Sequence, residues 1–371
     1  LHVALISPYS MSRPGGVQEH ARGLARALVA KGHEVTLFGP ELRGKQHRLE
    51  GVGTVSIGPA VDIPANGSIA RLGIDPRMLV RFDLALDAAD VVHAHEAFLP
   101  ASLAAILRRP RNTAVVGTFH AAAEKFWPYA LFAPVLRRIA KRLDATTAVS
   151  PEARKLVRRY VNLDPEIVPN GVDVEAYEKA EADEDALRLG KVVLLVGRVD
   201  PRKGFDIVCR AFTRVAADEP DAHLLVTATP DQLPESRLSD RIRCIGVVDD
   251  ARKLALHRAA DIVCCASTAG ESFGMVVLEG LAGGSAVIAS DIPGFRYAGG
   301  DVATYAAPGD VDAWAAALRR LLAEDTERER LAARGPDHAR LYDWSRIAEQ
   351  SVRVYERALR GGSGGLLPSD A

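Results

Sequence analysis

The sequence predicts an α/β protein of two domains, and three observations carry that expectation. The chain has 371 residues, 48% of them hydrophobic, which suits two cores better than one. Apolar runs of strand length alternate with stretches of helical period through both halves, as in parallel sheets covered by helices. The alternation is sharpest over residues 261–289: a strand at 261–266, a loop holding Glu271 and Ser272, a helix at 275–281 stopped by Gly283-Gly284, and a strand at 286–289.

In order, residues 2–7 read as a buried strand, followed by a Gly15-Gly16 turn and a helix over 17–30 that Gly32 ends. The turn lacks the G-x-G-x-x-G spacing of dinucleotide folds. Strands follow at 34–38 and 52–57, then a polar loop over 63–71 with the turn pair Asn66-Gly67. Residues 90–96 form a strand ending in His95-Glu96, and 113–120 one ending in His120. Open α/β sheets bind ligands at the carboxyl ends of their strands, which makes His120 a candidate on the acceptor side. A helix over 135–143 sets Val135, Leu136, Ile139 and Leu143 on one face and Arg137, Arg138, Lys141 and Arg142 on the other. A strand at 146–150 and a helix from Pro151 close this half.

The hinge is expected near residues 169–173, and the acidic run 177–189 shows no core pattern. A strand at 192–196 opens the second sheet. Its tip carries Arg198, Arg202 and Lys203 ahead of Gly204 and a helix over 205–217, so three cations gather beside a helix start in an anion site. Strands at 223–227 and 242–248 precede Asp249-Asp250, which either cap the helix holding Lys253 or line a base pocket. The backbone amides of Phe273, Gly274 and Met275 are expected to bind phosphate. Glu271 is expected to reach sugar hydroxyls. Glu279, about 12 Å further along if the helix begins near Glu271, is expected to accept from a ribose hydroxyl. An amphipathic helix over 311–323 and a last helix over 346–359 precede a Gly/Ser/Pro-rich tail, 361–371, expected to be disordered.

Charge is divided. Residues 1–168 hold 22 Lys/Arg against 15 Asp/Glu, and residues 169–371 hold 25 against 33. A basic first half suits ordinary solvated charge first, and an anionic surface or ligand as the alternative. The four cysteines show no metal-ligand spacing and read as buried reduced thiols. No apolar run reaches membrane-span length and the chain opens on a strand, so a cytoplasmic protein is expected, with peripheral contact to the inner face of the cell membrane.

Taken together, Pro14-Gly-Gly-Val-Gln18, Ile63-Pro-x-Asn-Gly-Ser-x-Ala-Arg-Leu72, Arg198 with Pro201-Arg-Lys-Gly204, the Glu271/Glu279 pair and Tyr342-Asp-Trp-Ser345 resemble the retaining family 4 glycosyltransferases of GT-B fold, and among them the bacterial phosphatidylinositol mannosyltransferases. The resemblance implies two Rossmann-like domains facing a cleft. The first would cover 1–168 with the last helix, 346–360, crossing back onto it; the second would cover 169–345. It implies that Gly16, Arg198, Arg202, Lys203, Glu271, Ser272, Phe273, Gly274, Met275 and Glu279 hold a sugar nucleotide. Val248, Asp249, Asp250 and Lys253 would lie by its base and ribose. Tyr9, Gln18, Asn66, Arg71 and Lys125 would meet an inositol phosphate. His120 would sit near the reacting sugar, in a catalytic set with Arg198, Lys203 and Glu271.

Three stretches depart from the family pattern: Ala65 replaces an aromatic and Ala121-Ala-Ala-Glu124 a polar run, both on the acceptor side, and the basic run before the His-rich strand is reduced to Arg77 and Arg81. The implied reaction is transfer of a hexose, mannose from GDP-mannose, to phosphatidylinositol with retained configuration. It needs no cofactor and, with no Asp-x-Asp cluster among the expected donor residues to hold a metal against diphosphate, no metal. No nucleic acid partner is implied, and the chain is expected as a monomer or weak oligomer. The rivals are a family 4 enzyme with another donor or a soluble acceptor, an NAD-dependent oxidoreductase, which the missing glycine fingerprint opposes, and a non-catalytic nucleotide-binding module, which Glu271, His120 and Lys203 oppose.

Overall fold

The computed structural model describes residues 1–12, 15–42, 49–65, 68–122, 127–197, 199–234, 237 and 239–361. They form two compact units, one of Leu1–Gly171 with the chain from Trp344 onward, the other of Val172–Asp343.

The strands of the first unit are β1 (His2–Ile6), β2 (Glu34–Gly39), β3 (Val52–Ser56), β4 (Ala60–Ala65), β5 (Ser68–Gly73), β6 (Val91–His95), β7 (Ala114–Phe119), β8 (Ala145–Ala148) and β9 (Glu166–Ile167). Seven make a parallel sheet in the order β3-β2-β1-β6-β7-β8-β9. Side chains alternate across a strand, so β1 feeds two cores. Val3 and Leu5 join the core beneath helices Gly16–Ala30 and Trp344–Leu359. Ala4 and Ile6 join the core beneath helices Met78–Ala85, Pro100–Arg108, Trp127–Ala140 and Pro151–Val161. The last helix is thus part of the first unit. Its start is locked by Trp344, which fills space a side chain would need: a Cβ at Gly23 would stand 2.1 Å from its ring and one at Gly171 2.4 Å.

The second unit holds β10 (Lys191–Leu195), β11 (Ala222–Val226), β12 (Ile242–Cys244), β13 (Ile262–Cys265), β14 (Ala286–Ser290) and β15 (Thr304–Ala306). They form a parallel sheet in the order β12-β11-β10-β13-β14-β15. Val193, Leu195, Leu224, Val226 and Ile262 pack there with Phe212 and Trp314 from the covering helices Phe205–Val215 and Val311–Ala323.

Four expectations are corrected. The stretch read as a polar loop is an antiparallel hairpin, β4 with β5, paired from Ala60↔Gly73 to Ala65↔Ser68. The signal was the Asn-Gly pair in the sequence, a hairpin mark when it stands between alternating residues; the pair itself lies outside the described residues. The basic helix starts earlier, Trp127–Ala140, and of the expected apolar face Leu136 and Leu143 are buried and Ile139 packs on the core, but Val135 turns outward. Leu136 and Ala140 are buried, whereas Leu131, Phe132 and Val135 are 63%, 52% and 56% exposed. Adjacent helical positions lie about 100° apart, so Val135 turns outward when Leu136 turns in. The strand at 242–248 stops at Cys244, because Gly246 turns into the left-handed region at φ +76° and Val247 leaves the sheet. The acidic run holds two short helices, Val174–Lys179 and Glu184–Leu187, each capped by an aspartate, Asp173 onto the Ala176 N–H and Asp183 onto the Ala186 N–H.

Candidate functional site

In the second unit the expected donor residues meet at the carboxyl ends of β10 and β13. Pro201–Lys203 is one turn of 3₁₀ helix, and Gly204 at φ +67° starts the helix behind it. Gly204 is required there twice over, since a Cβ would also lie 2.1 Å from the Ala266 carbonyl oxygen. That contact draws the β10 loop against the β13 loop, and the Thr268 N–H donates to the Arg202 carbonyl at 2.7 Å. The Lys203 ammonium pairs with Glu271, whose Oε1 also accepts from Ser267 Oγ at 3.1 Å. Both charged side chains are partly exposed. Ser272 is half-buried, Phe273 is buried, and Gly274 at φ +112° begins helix Met275–Ala282 with no side-chain cap. An anion at that start would find backbone N–H groups and the positive dipole end.

The helix begins four residues later than a start near Glu271, so Glu279 lies one turn in rather than two. It does not stand open: its Oε1 accepts from Lys253 Nζ at 2.9 Å. Both glutamates therefore carry a lysine, Glu271 from the β10 loop and Glu279 from helix Asp250–Ala259. Asp249 is the N-cap of that helix, accepting from the Arg252 N–H at 2.8 Å, and both Asp249 and Asp250 are exposed beside half-buried Val248. Asp249 thus caps the helix, while Asp250 is its first residue. Arg202 pairs with Asp200 at 3.5 Å, and its Nη1 leaves no room for a Cβ at Gly270.

In the first unit, β6 and β7 end side by side, with His95 opposite Thr118. His120 Nε2 and His95 Nδ1 are 3.1 Å apart, His93 bonds Tyr355 Oη at 2.7 Å and Thr118 Oγ1 at 2.6 Å, and His20 reaches Asn170 Oδ1 at 2.7 Å. All four imidazoles are buried. Desolvation disfavours a charged imidazole, holding His20 to about 4 and His93 to about 3, with His95 and His120 also well below the usual value. At neutral pH the cluster is uncharged, so His120 exchanges hydrogen bonds rather than supplying a cation. One ring nitrogen from each of His20, His95 and His120 falls within 4.8 Å of the others, near enough for a shared metal ion; at least one pair is already hydrogen-bonded. Glu96, in the left-handed region at φ +48°, accepts from the backbone N–H of His120 and of Ala121, each at 2.7 Å, and fixes the turn leaving β7. Burial raises its carboxyl to about 6, against the two N–H groups that favour the anion.

The acceptor-side residues form a second corner of this unit. Tyr9 bridges to Leu72 of β5, Gln18 Nε2 donates to the Ser10 carbonyl at 3.1 Å, and the Ser10 N–H donates to the Arg71 carbonyl at 2.8 Å. Arg71 donates to Glu41 from Nε at 2.9 Å and Nη2 at 2.7 Å, and to Asp62 from Nη1 at 3.1 Å. Gly16 is exposed at the first position of its helix. Asn66, Lys125 and Arg198 lie outside the described residues.

The sequence reading did not single out His20, Glu41 or Asn170. Glu41 follows the tip of β2, where position after a strand was the available signal; His20 lies on the buried face of helix Gly16–Ala30 and reads as core.

The fold recurs in a solved glycosyltransferase from Rickettsia africae, with a TM-score of 0.77 at 16% identity, over 97% of this chain and 98% of that one. Two Rossmann-like halves of this kind define a glycosyltransferase of GT-B architecture. Residues 14–176 match Glycosyltransferase Family 4, and residues 190–324 match Glycosyl transferases group 1. A Mycolicibacterium smegmatis protein named phosphatidyl-myo-inositol mannosyltransferase is 36% identical over 96% of this chain and 94% of its own length. One of the same name from Mycobacterium tuberculosis is 37% identical over 98% of each. This chain belongs to glycosyltransferase family 4.

Proposed function

We propose that the chain transfers mannose from GDP-mannose to the inositol of phosphatidylinositol, with retained anomeric configuration and without a metal ion. The observation that supports this most is the near-full-length identity to the two mycobacterial relatives of that name. The departing diphosphate gains negative charge as the glycosidic bond breaks, and fixed cations with a helix start stabilise such charge in place of a metal. Arg198, Lys203 and the amides near Gly274 take that role. Glu271 holds Lys203 in place and turns to sugar hydroxyls, while Lys253 and Glu279 meet the ribose. Neutral His120 bonds a hydroxyl of the transferred sugar, and Tyr9, Gln18, Asn66, Arg71 and Lys125 receive the acceptor.

The enzyme works as a peripheral protein at an anionic membrane. Among the described residues no helix is long and apolar enough to cross one, but helix Trp127–Ala140 exposes Leu131, Phe132 and Val135 just before exposed Arg137, Arg138, Lys141 and Arg142. Each basic group at such a surface adds about 1 kcal/mol of attraction. A second reading, a soluble acceptor, gains support from the carboxylates that already occupy Arg71. Incubation of GDP-, UDP- and ADP-hexoses with phosphatidylinositol vesicles, with and without chelator, tests the proposal. GDP-mannose is expected to give an α-linked product in chelator; preference for UDP, or activity abolished by chelator and restored by Mg²⁺, would overturn it.

A further inference from the structure

Arg71 is assigned above to the acceptor's anionic group, yet its guanidinium is already engaged. Two of its nitrogens meet both oxygens of Glu41, and a third meets Asp62. One cation thus faces two carboxylates. The fork that a guanidinium offers to a phosphate is the same one it offers to a carboxylate, so Glu41 fills the position an acceptor phosphate would take.

Glu41 is held there by more than Arg71. Its backbone lies in the left-handed region at φ +56°, a conformation a glutamate adopts only when its surroundings impose it. Its N–H donates to the Gly58 carbonyl at 2.9 Å. Its carboxylate also accepts from Ser10 Oγ at 2.5 Å and Ser12 Oγ at 3.0 Å. Hydrogen bonding to Arg71 first, then to the serines, holds its carboxyl down to about 2, so it is ionised throughout the physiological range. The pair is partly shielded, with Arg71 29% and Glu41 23% exposed, so solvent does not fully screen an arriving anion from Glu41.

We propose that Glu41 is a specificity-determining residue: it serves as an internal counter-ion on Arg71, so that this corner selects the acceptor's polyol ring and gains little from a phosphate on it. The inference rests on the reading that Arg71 faces the acceptor. It makes myo-inositol and its 1-phosphate near-equal ligands of the wild-type chain, with affinity for the phosphate opened by removing one charge.

Calorimetric titration of the full chain with myo-inositol and with myo-inositol 1-phosphate, each with GDP present, tests this without requiring turnover. Wild type is expected to bind the two within about threefold. Glu41→Gln keeps the size and one of the two accepting oxygens and is expected to tighten the 1-phosphate about tenfold while leaving myo-inositol unchanged, the scale of one unit charge at an intermediate dielectric. Asp62→Asn, which meets Arg71 through one nitrogen and is 42% exposed, is expected to give a smaller gain of the same sign. Adding Arg71→Ala to Glu41→Gln is expected to erase the gain, as a direct coupling requires. Wild type that prefers the phosphate tenfold, or a Glu41→Gln chain that binds it no better, would overturn the proposal, as would failure of both forms to bind either ligand. GDP affinity, measured in the same titrations, is independent of Glu41, so loss of the donor reading would show separately.

Discussion

The two units share an architecture and differ in what they place on their strand tips. The first ends β6 and β7 in buried, uncharged imidazoles; the second ends β10 and β13 in a half-exposed lysine–glutamate pair. The first holds 26 Lys/Arg against 18 Asp/Glu, the second 21 against 30. The basic unit therefore gathers neutral imidazoles at these tips, while the acidic unit sets a lysine–glutamate pair there. The same sheet topology supports either arrangement, because strand tips are exposed or buried according to the loops that follow them.

The contrast is tested most severely in the cores. Trp314→Ala, at a fully buried position in the second unit, is expected to cost about 3–5 kcal/mol. Trp344→Ala is expected to cost somewhat less and to act only on the first unit. Denaturant unfolding followed by probes in each unit separates the two, and a common shift would show that the units do not melt independently.

Lys203→Ala is expected to lower turnover about 10²–10³-fold, roughly 3–4 kcal/mol of transition-state stabilisation, with little change in thermal stability because the side chain is partly exposed. Lys203→Arg is expected to recover part of the rate. A near-normal rate for the alanine variant would remove the fixed-charge side of the comparison.

Acid should distinguish the units next. His20, His93, His95 and His120 have folded-state values below the usual 6.5. Below pH 6.5 the unfolded chain takes up protons that the folded chain refuses, so the stability these groups contribute is lost as pH falls toward about 4 for His20 and about 3 for His93. Each contributes at most about 1.4 kcal/mol per pH unit in that window. Glu96, raised to about 6, acts in the opposite sense between about 6 and the unfolded carboxyl value, and offsets part of the loss. Among the described residues the second unit has one such histidine, His257, lowered to about 4. Melting between pH 7 and pH 5 should therefore lower the first unit's transition more than the second's; equal shifts would contradict it.

The smallest effect on stability is expected at Phe132. Phe132→Ser should stay within about 0.5 kcal/mol of wild type, as exposed positions do, while reducing sedimentation with anionic vesicles. Unchanged vesicle binding would detach the exposed apolar helix from membrane contact.

Periodicity made the parallel sheets legible, and glycines marked the turns at Gly204 and Gly274. The pairings were less accessible. Lys253 with Glu279, Arg71 with Glu41 and His20 with Asn170 stand 26, 30 and 150 residues apart. Local pattern carries no information on which strands become neighbours, and β6 lying beside β7 is what brings His93 and His95 to His120. Val135 of helix Trp127–Ala140 was misplaced for a related reason: a helix apolar on several sides has no unique inward stripe until its neighbours choose one.

The return of the last helix has a consequence for synthesis. The second unit is one uninterrupted segment, inserted between Gly171 and Trp344 of the first. It can fold as soon as it leaves the ribosome. The first unit cannot, since Val3, Leu5 and Val116 remain without the cover of Ile347, Val354 and Tyr355. At about 5–20 residues per second, the nascent chain waits roughly ten to thirty-five seconds with that apolar face open, a window in which a chaperone has something to hold.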